Sequence, residues 1–354
     1  MTLAVLLLAA RDDLYGASRA VLGQLAHLPA HGVRPTLATP APGPLAEAAR
    51  ALGVEVLEAP ALAGGRSLWR RAVGGLELGA LARRAQRPDL VVACTVSAAP
   101  AARRVAARLA VPYAVHLRNT YAGRSGRSPF VRYGVPMAPA VLAVSRATLD
   151  AYHAAAGRPA GQLAEVVPDG VEPAAGLPRA AARAALGLPA EGPVAAVVGA
   201  IGEAKGTAFA ADVVAGLPGL RLAVLGSGAP AAEAALSARP EVAFVGFVPN
   251  AARVMAAFDV LLHPSVSEAF GLAPLEAMAA GVPVVASRVG GLPEALGEAA
   301  MWRAERDLAA WQEALRAVLA APEPLVQSGL RQAALRSAEA SADLVAEAYR
   351  RIAG

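Results

Sequence analysis

The chain contains little of what small secreted proteins and membrane proteins depend on. Its single cysteine, Cys94, lies in the apolar run LVVACTV, so no disulfide can form within the chain. No uncharged apolar run reaches about 18 residues without a proline or a polar residue, so the sequence predicts no membrane-spanning helix. With 354 residues, the chain has room for roughly two domains of about 100 to 200 residues each, whose cores need no disulfide or metal.

The amino terminus lacks a targeting pattern. MTLAVLLLAA has no basic residue before its apolar part, and RDD follows it directly, which favours a first core strand over a signal peptide. Together with the missing membrane span, this pattern predicts a cytoplasmic, soluble protein.

Lysine is nearly absent, although the chain is basic. Of the 33 basic residues, 32 are arginine and the only lysine is Lys205. Lysine offers a compact, flexible point charge, whereas arginine offers a planar fork of donors. A solitary lysine in so arginine-rich a chain indicates a position that favours a point charge.

The basic residues are unevenly distributed. Residues 1–175 hold 19 Arg or Lys and 11 Asp or Glu, a net charge of +8. Residues 176–354 hold 14 and 17, a net charge of −3, and the two halves sum to +5. This asymmetry predicts different partners for the two halves.

Short apolar runs alternate with helical patterns along most of the chain, which is typical of βαβ units and parallel sheets. In the first half, strands are predicted at residues 3–9, 34–39, 54–59, 90–95, 113–117 and 140–145. In the second half, they are predicted at residues 194–200, 221–226, 242–248, 259–265 and 282–287. We therefore predict two doubly wound α/β domains, with ligands at the carboxyl ends of the strands and in the cleft between the domains.

Two glutamates flank the stretch AFGLAPL, with Glu268 before it and Glu276 after it. The run DVLLHPS predicts a buried strand, so Glu268 lies in the loop that leaves its carboxyl end. Pro274 suits the first turn of a helix, where its missing N–H costs nothing, and this helix contains Glu276. Backbone N–H groups at the start of the helix lie at its positive end, where phosphate binds. They belong to Phe270, Gly271 and Leu272.

Glu276 can turn sideways from this helix end and accept hydrogen bonds from vicinal hydroxyls, as a carboxylate does on a ribose. The structural alternative for Glu276 is a capping box, but that motif needs Ser or Thr where Ala273 stands. The alternative for Glu268 is a solvated loop acid. The strand, loop and helix together favour a ligand site over either alternative.

The stretch SEAFGLAPLEAMAAGVPVVAS, followed by GG, resembles the E-x7-E motif of the family-four glycosyltransferases, a large retaining group with the GT-B fold. The resemblance extends through further motifs over nearly the whole chain. It implies two Rossmann-like domains that face a central cleft. It also implies that Glu268 contacts the donor sugar and that Glu276 holds the nucleotide ribose.

The segment VVGAIGEAKG (197–206) is similar to the VGRL…KG segment of the same family. The resemblance implies that Lys205 binds the donor diphosphate, and a fixed cation would stabilise the charge that develops on the departing group. The arginine usual in the family is Ala200 here, which removes one expected phosphate partner. The alternative for Lys205 is a solvated loop residue.

Two segments of the first half extend the resemblance. DDLYGASRAVLGQLAHLPAHG (12–32) resembles the family's glycine loop, although Tyr15 replaces the first of its two usual glycines. Gly16 would let the backbone approach the donor phosphate or the acceptor closely. In YAVHLRNTY (113–121), the resemblance implies that His116 ends a strand facing the cleft and helps to orient the transferred sugar. The alternative is a structural histidine within the strand.

Two competing motifs are weaker. GSGAPA (226–231) fits the dinucleotide fingerprint, but the acidic residue expected about 20 positions later is missing. We therefore interpret Gly226 and Gly228 as loop glycines on the donor side. The sequence has no His/Cys cluster and no D-x-D pair, and RDD (11–13) only approaches one. No metal is predicted, and no cofactor beyond the nucleotide diphosphate sugar as co-substrate.

The basic first half contains arginines interleaved with aromatic residues. They are Arg66, Trp69, Arg70, Arg71, Arg118, Tyr121, Arg124, Arg127, Phe130, Arg132 and Tyr133. This composition fits an anionic acceptor, or peripheral contact with an anionic membrane at its inner face. No nucleic-acid-binding module accompanies these residues, so no nucleic acid partner is predicted. The alternative is an arginine-rich solvated face.

The sequence therefore predicts three segments. Residues 1–172 form an acceptor-binding Rossmann-like domain, and residues 173–330 form a nucleotide-sugar-binding one. A C-terminal helix, 331–354, packs back on the first domain, as the resemblance implies. The junction segment VVPDGVE (166–172) resembles the family's NGVD, with Asp169 where asparagine is usual, and we assign it no chemistry.

The reaction implied by the resemblance transfers a sugar from a nucleotide diphosphate sugar, with UDP or GDP as the nucleotide, to a hydroxyl of a sugar, lipid-linked or other acceptor. It retains the anomeric configuration, needs no metal, and suits a hexosyltransferase of cell envelope polysaccharide synthesis. His116, Lys205 and Glu268 are the predicted catalytic residues. The alternatives are a GT-B-fold nucleotide-sugar epimerase and a catalytically silent nucleotide-sugar-binding protein.

Overall fold

The computed structural model of the chain describes residues 2–63, 68–121, 126–128, 130–172 and 176–354. Two compact units divide the chain: the first comprises Met1–Gly170 with Ala338–Gly354, and the second comprises Val171–Ser337. The chain thus passes between units at 170/171 and 337/338, where the sequence predicted 172/173 and 330/331. Residue 173 itself lies outside the described residues.

Strands and helices alternate through both units. The described residues form the strands β1 (Leu3–Leu8), β2 (Val33–Thr39), β3 (Glu55–Glu58), β4 (Leu90–Ala93), β5 (Tyr113–Leu117), β6 (Ala140–Ala143), β7 (Leu163–Val166), β8 (Val194–Val198), β9 (Arg221–Leu225), β10 (Val242–Gly246), β11 (Val260–His263), β12 (Val284–Ser287) and β13 (Met301–Arg303).

The α-helices are α1 (Gly16–His27), α2 (Pro44–Ala51), α3 (Leu68–Arg84), α4 (Ala99–Leu109), α5 (Arg146–Ala156), α6 (Arg179–Ala185), α7 (Thr207–Ala215), α8 (Pro230–Ser237), α9 (Leu272–Ala279), α10 (Leu292–Leu296), α11 (Leu308–Ala320), α12 (Glu323–Leu335) and α13 (Ala338–Ala353). Within the part of the chain that the structure describes, none of the helices combines the length and the apolar character needed to cross a bilayer.

The first unit is built on a parallel sheet of seven strands in the order β3-β2-β1-β4-β5-β6-β7. Leu3 of β1 lies opposite Val33 of β2, and Val5 lies opposite Leu90 of β4. Inner strands of a parallel sheet are covered on both faces, so they need apolar residues on both sides. The run LAVLLL of β1 meets this need, because five of its six residues are buried.

The helix α13 contributes to the core of the first unit although it is the last element in sequence. Its residues Val345 and Tyr349 are fully buried and pack in one cluster with Val5 of β1. Such positions recur at helical spacing, so α13 buries an apolar stripe. The segment predicted as one helix from residue 331 consists of the end of α12 and all of α13, which residues 336–337 separate.

The second unit is built on a parallel sheet of six strands in the order β10-β9-β8-β11-β12-β13. The strands β9 and β10 lie on one side of β8, and β11 lies on the other side. In doubly wound sheets, ligands bind beyond the carboxyl ends of the two strands at which the order reverses. Here that switch point lies between Val198, which ends β8, and His263, which ends β11. The prediction of two doubly wound α/β domains is confirmed.

Candidate functional site

The loop after β8 turns sharply to present Lys205. Residues Glu203–Lys205 form a single 3-10 turn, the lysine turn, and Gly206 ends it in the left-handed region with φ 69°. A Cβ at Gly206 would lie 2.3 Å from the backbone oxygen of Pro264, so glycine is required here. The lysine turn therefore packs closely against the loop that follows β11.

Lys205 and Glu268 meet where these two loops pack. The Lys205 ammonium donates a hydrogen bond to Oε2 of Glu268, and the two side chains are 30% and 15% exposed. His263, at the end of β11, places its Nε2 3.0 Å from the same oxygen. Ser265 Oγ lies 3.1 Å from this nitrogen. Two residues predicted from distant motifs are thus brought together, and neither is a solvated loop side chain.

These contacts keep Glu268 ionised. Burial alone would raise the pKa of its carboxyl group, but the hydrogen bond from His263, the charges of Lys205 and His263 and the hydrogen bond of Lys205 lower the pKa from 4.5 to about 2. An ionised carboxylate accepts hydrogen bonds and donates none. Glu268 is therefore suited to hold hydroxyl groups and unsuited to act as an acid near neutral pH.

Arg306, which no sequence motif marked, joins the lysine turn to the loop after β11. Its Nε and Nη2 donate to the backbone oxygen of Pro264 at 2.9 and 2.6 Å. Nη2 also donates to the backbone oxygen of Glu203 at 2.9 Å. The backbone N–H of Val266 donates to the oxygen of Ala204 at 2.9 Å and strengthens the same junction.

The glycine pair after β12 fixes the backbone of Glu268. Gly291 donates its N–H to the Glu268 carbonyl at 3.0 Å. Gly290 has φ 55°, and a Cβ there would lie 2.0 Å from that carbonyl oxygen. Both the conformation and the close approach require glycine. The GG that follows the two glutamates in sequence therefore positions the first of them.

The helix α9 begins at Leu272, and Gly271 precedes it with φ 112°. A Cβ at Gly271 would lie 2.5 Å from Cδ2 of Leu292, so this turn also requires glycine. Among the described residues, no hydrogen-bond partner is recorded for the backbone amides of Phe270, Gly271 and Leu272. These donors lie at the positive end of the helix. Glu276, further along α9, is buried.

The glycines of GSGAPA bring two loops into contact. Gly226 has φ 153°, and a Cβ there would lie 1.8 Å from the backbone oxygen of Gly199, in the loop that leads to the lysine turn. The N–H of Gly226 donates to the oxygen of Gly246 at 2.8 Å, and that of Gly228 donates to Oε1 of Glu233 at 2.7 Å. Both amides are therefore engaged within the protein. A donor-side role for these glycines stays a prediction.

Two of the predicted site residues, Gly16 and His116, belong to the first unit. Gly16 begins α1, and a Cβ there would meet no atom within 4 Å. His116 lies within β5 and is completely buried. Burial, followed by the charge of Arg118, lowers the pKa of His116 well below its usual value, so the ring is neutral. Within the described residues, neither ring nitrogen makes a hydrogen bond of normal geometry.

Arg118 was expected on a basic surface, and that expectation was wrong. Its side chain is 2% exposed, and its Nε lies 3.1 and 3.2 Å from the two carboxylate oxygens of Asp169. Its Nη1 and Nη2 donate to the Cys94 carbonyl and to Oε1 of Gln24 at 3.0 and 2.8 Å. A buried guanidinium with four acceptors is a structural group. Asp169, to which the sequence assigned no chemistry, is its main partner.

The rest of the proposed basic surface is only partly described. Arg66 and Arg124 lie outside the described residues, and only the backbone is described for Trp69, Arg70, Arg71, Phe130 and Tyr133. Of the remaining members, Arg127 and Arg132 are exposed and Tyr121 is buried. Docking on an anionic acceptor or membrane stays a prediction.

The RDD segment has a structural role. Oδ1 of Asp12 accepts hydrogen bonds from the backbone N–H groups of Leu45 and Ala46 at 2.7 and 3.3 Å, which satisfies free amides at the start of α2. Asp13 accepts a hydrogen bond from the hydroxyl of Ser18 at 3.0 Å. Over the described ranges, no group of three or more His, Cys, Asp or Glu side chains is arranged to hold a metal ion.

Two family models match the chain, and together they include every site residue predicted from the sequence. Glycosyltransferase Family 4 matches residues 15–175, and Glycosyl transferases group 1 matches residues 192–321. The boundary between the two matches falls in the Pro- and Gly-rich segment that follows β7.

Curated relatives match about half of the chain. D-inositol 3-phosphate glycosyltransferase of Segniliparus rotundus is 38% identical over 215 residues, which are 53% of this chain and 47% of that protein. The protein of the same name from Mycobacterium avium is 39% identical over 191 residues, which are 49% of this chain and 45% of that protein. The chain spans about half the length of the curated relatives it matches.

Two solved structures superimpose on nearly the whole chain. HepE of Anabaena, in complex with UDP and glucose, has a TM-score of 0.80 at 19% identity and covers 98% of this chain and 99% of its own. WaaG, a glycosyltransferase involved in lipopolysaccharide biosynthesis, has a TM-score of 0.72 at 18% identity and covers 99% and 100%. At these identities the likeness shows the fold alone.

Proposed function

The chain belongs to the glycosyl transferases of group 1 and family 4, which have the GT-B fold, and from this membership we propose that it is a retaining glycosyltransferase. It moves a sugar from a nucleotide diphosphate sugar to a hydroxyl acceptor and needs no metal. The observation that carries the proposal is the meeting of Lys205 and Glu268 at the switch point of the second sheet, just before α9 begins.

We assign donor binding to the second unit. Lys205 and the amides of residues 270–272 bind the diphosphate, because an ammonium and free N–H groups at a helix start are donors that phosphate oxygens accept. Glu276 binds the ribose hydroxyls, and Glu268 binds hydroxyls of the transferred sugar. These roles follow the family resemblance and agree with the ionised state of Glu268.

The proposed reaction is a same-face substitution. The bond from the anomeric carbon to the diphosphate oxygen breaks, and the acceptor oxygen bonds to that carbon on the same face. The acceptor proton passes to the departing diphosphate oxygen, so no side chain has to act as nucleophile or base. Lys205 and the amides at α9 stabilise the charge that the diphosphate gains.

For four other predicted residues, the proposed roles rest on the family resemblance alone. His116 orients the reacting end of the sugar, although its ring is fully buried in this structure. Gly16 lets the first glycine loop approach phosphate or acceptor, and Gly226 and Gly228 shape the donor-side loop. None of the four carries the proposal.

The comparisons suggest which donors and acceptors to test. HepE is known in complex with UDP and with UDP-glucose, so UDP-sugars come first and GDP-sugars second. The relatives are named for D-inositol 3-phosphate, so a polyol phosphate joins sugars and lipid-linked hydroxyls as a candidate acceptor. We propose action in the cytoplasm, with peripheral contact at an anionic membrane when the acceptor is lipid-linked.

The test is incubation with a panel of UDP-, GDP- and ADP-sugars, with and without acceptors and in the presence of EDTA. Nucleotide release that requires an acceptor, with a product of unchanged anomeric configuration by NMR, supports the proposal. Sugar epimerised without acceptor indicates an epimerase, and binding without turnover indicates a binding protein. An inverted product contradicts the retaining mechanism, and loss of activity in EDTA contradicts metal independence.

Two variants test the assigned roles. Lys205→Ala should lower kcat by about 10²- to 10³-fold with a smaller effect on donor Kd, because the diphosphate gains its charge as the bond breaks. Glu276→Ala should weaken donor binding roughly 10-fold or more, the effect of losing a charged hydrogen bond. Glu298→Ala, at a side chain that is 86% exposed, is the control. Unchanged kinetics in both site variants would count against the assignment.

A further inference from the structure

Among the described residues, two donors share one oxygen of Glu268, and they differ in conformational freedom. Oε2 accepts hydrogen bonds from the Lys205 ammonium and, at 3.0 Å, from Nε2 of His263. Lys205 belongs to a 3-10 turn, and its ammonium lies at the end of a long side chain that is 30% exposed. His263 ends β11, opposite Ala286 of β12, and its side chain is 5% exposed. The lysine can move away from Glu268, whereas the histidine is held by the sheet.

In the proposed reaction, both members of the ion pair change partners. The Lys205 ammonium moves to the donor diphosphate, and the carboxylate of Glu268 takes hydroxyls of the sugar. Glu268 then loses the positive charge of Lys205 in a place where its side chain is 15% exposed. A buried carboxylate that loses its partner is costly, because the protein replaces only part of the hydration that the group had in water.

We propose that His263 is a positioning residue, which holds Glu268 in its sugar-binding orientation when Lys205 transfers to the donor diphosphate. This inference rests on the proposed function. His263 acts through Glu268 and need not touch the substrate itself. The strand end fixes the imidazole, so it stays on Oε2 when the lysine leaves.

The carboxylate of Glu268 determines that Nε2 of His263 carries a hydrogen. Glu268 has a pKa of about 2 and accepts hydrogen bonds only, so Nε2 carries the hydrogen that joins them. Ser265 Oγ, 3.1 Å from the same nitrogen, then serves as a further acceptor. His263→Gln keeps an N–H at similar reach, whereas His263→Leu removes the N–H and leaves a side chain of comparable size. Comparing the two variants therefore separates the effect of the hydrogen bond from the effect of packing.

The first experiment compares UDP with UDP-glucose as ligands by isothermal titration calorimetry. Glu268 is assigned to the sugar, so His263→Leu should weaken UDP-glucose binding about 10-fold and leave UDP binding unchanged. His263→Gln should restore most of the lost affinity. Ser287→Ala, at the buried end of the adjacent strand β12, is the control and should bind both ligands as the wild type does. Unchanged UDP-glucose binding in His263→Leu, or equal loss of both ligands, would overturn the inference.

The second experiment needs no ligand, so it distinguishes this inference from the proposed function. In Lys205→Ala, His263 is the remaining donor to Oε2 among the described residues. His263→Leu should therefore lower the melting temperature more in the Lys205→Ala background than in the wild type, whereas His263→Gln should not. If this coupling is found but the wild type binds no nucleotide sugar, the proposed function fails and the support of Glu268 by His263 stands. Purely additive shifts would show that His263 does not support Glu268.

Discussion

Glu268 carries a negative charge in a place where burial alone would favour its protonated form. Its contacts with His263 and Lys205 reverse that preference and lower its pKa from 4.5 to about 2. Because the folded and unfolded states then bind the proton differently, the stability of the fold depends on pH. A single carboxylate thus links the site to the stability of the second unit.

Glu268→Gln should remove this dependence. In the wild type, the carboxylate contributes on the order of 3 kcal/mol above pH 4.5, and the contribution is lost as the pH falls from 4.5 toward about 2. The stability gap between wild type and variant should be widest above pH 4.5 and should narrow below it. Urea unfolding from about pH 7 to about pH 3 measures this gap, with the exposed Glu298→Gln as control. A gap that grows toward low pH would contradict the role of these contacts.

Part of the site could be predicted from single residues, and part could not. Glu268 stands in a spaced motif, and Lys205 is conspicuous as the only lysine. His263 lies inside the strand predicted at 259–265, where nothing distinguishes it from a structural residue. Arg306 is one of 32 arginines, and its contact with Pro264 spans 42 positions. Contacts made by the tip of a side chain depend on tertiary packing, which local spacing does not encode.

At the scale of elements, the apolar runs predicted all strands of the described chain except β7 and β13. Both missed strands are the last in their sheets, and their sequences LAEV and MWR each carry a charged residue. An edge strand is paired on one side only and is short, so it needs no continuous apolar run. The pattern therefore detects the inner strands, on which the site is built, better than the edges.

Arg306→Lys should loosen the contact between the lysine turn and the loop after β11. Lysine keeps the charge but loses the planar fork that reaches two carbonyl oxygens. The lysine turn should then shift relative to Glu268, and kcat should fall about 10-fold or more while the protein stays folded. Steady-state kinetics with the donor identified by the panel measures the effect.

Arg303→Lys is the matched control for this change. Arg303 also donates to two backbone oxygens, those of Ala310 and Trp302, both at 2.9 Å. None of its recorded hydrogen bonds within the described residues reaches the lysine turn. Equal loss of kcat in the two variants would mean that general loosening of this region, and not the position of the turn, limits the reaction.

At the scale of the whole molecule, the sequence and the structure differ over where the chain returns to the first unit. The sequence predicted this crossing at 330/331, whereas the structure has it at 337/338. The stretch LRSAEAS (335–341), which spans the junction of α12 and α13, contains no proline or glycine, so the helical pattern runs on without a visible break. The break has a tertiary cause: Val171 pairs with Ser337 in an isolated bridge, and its N–H donates to the oxygen of Arg336 at 2.9 Å. A partner so distant in sequence cannot be read from the local pattern.

Val345→Asp should destabilise the first unit and leave the stability of the second unit unchanged. Val345 of α13 is completely buried, and an unpaired carboxylate there costs about 3 kcal/mol or more. The neighbouring Leu344→Asp, at a side chain that is 43% exposed, is the matched control. Hydrogen exchange should accelerate in β1 and β4 and stay unchanged in β8 and β11. Equal acceleration in both sheets would show that α13 supports more than the first unit.

The place of α13 also sets the order in which the chain can fold during synthesis. The ribosome releases residues 171–337 as one continuous stretch, so the second unit can form as soon as it emerges. The first unit must wait for its last helix, which at typical elongation rates takes on the order of ten seconds or more. During that interval the apolar side chains that Val345 and Tyr349 later cover face water. The nascent first unit therefore exposes part of its apolar core until the ribosome has released α13.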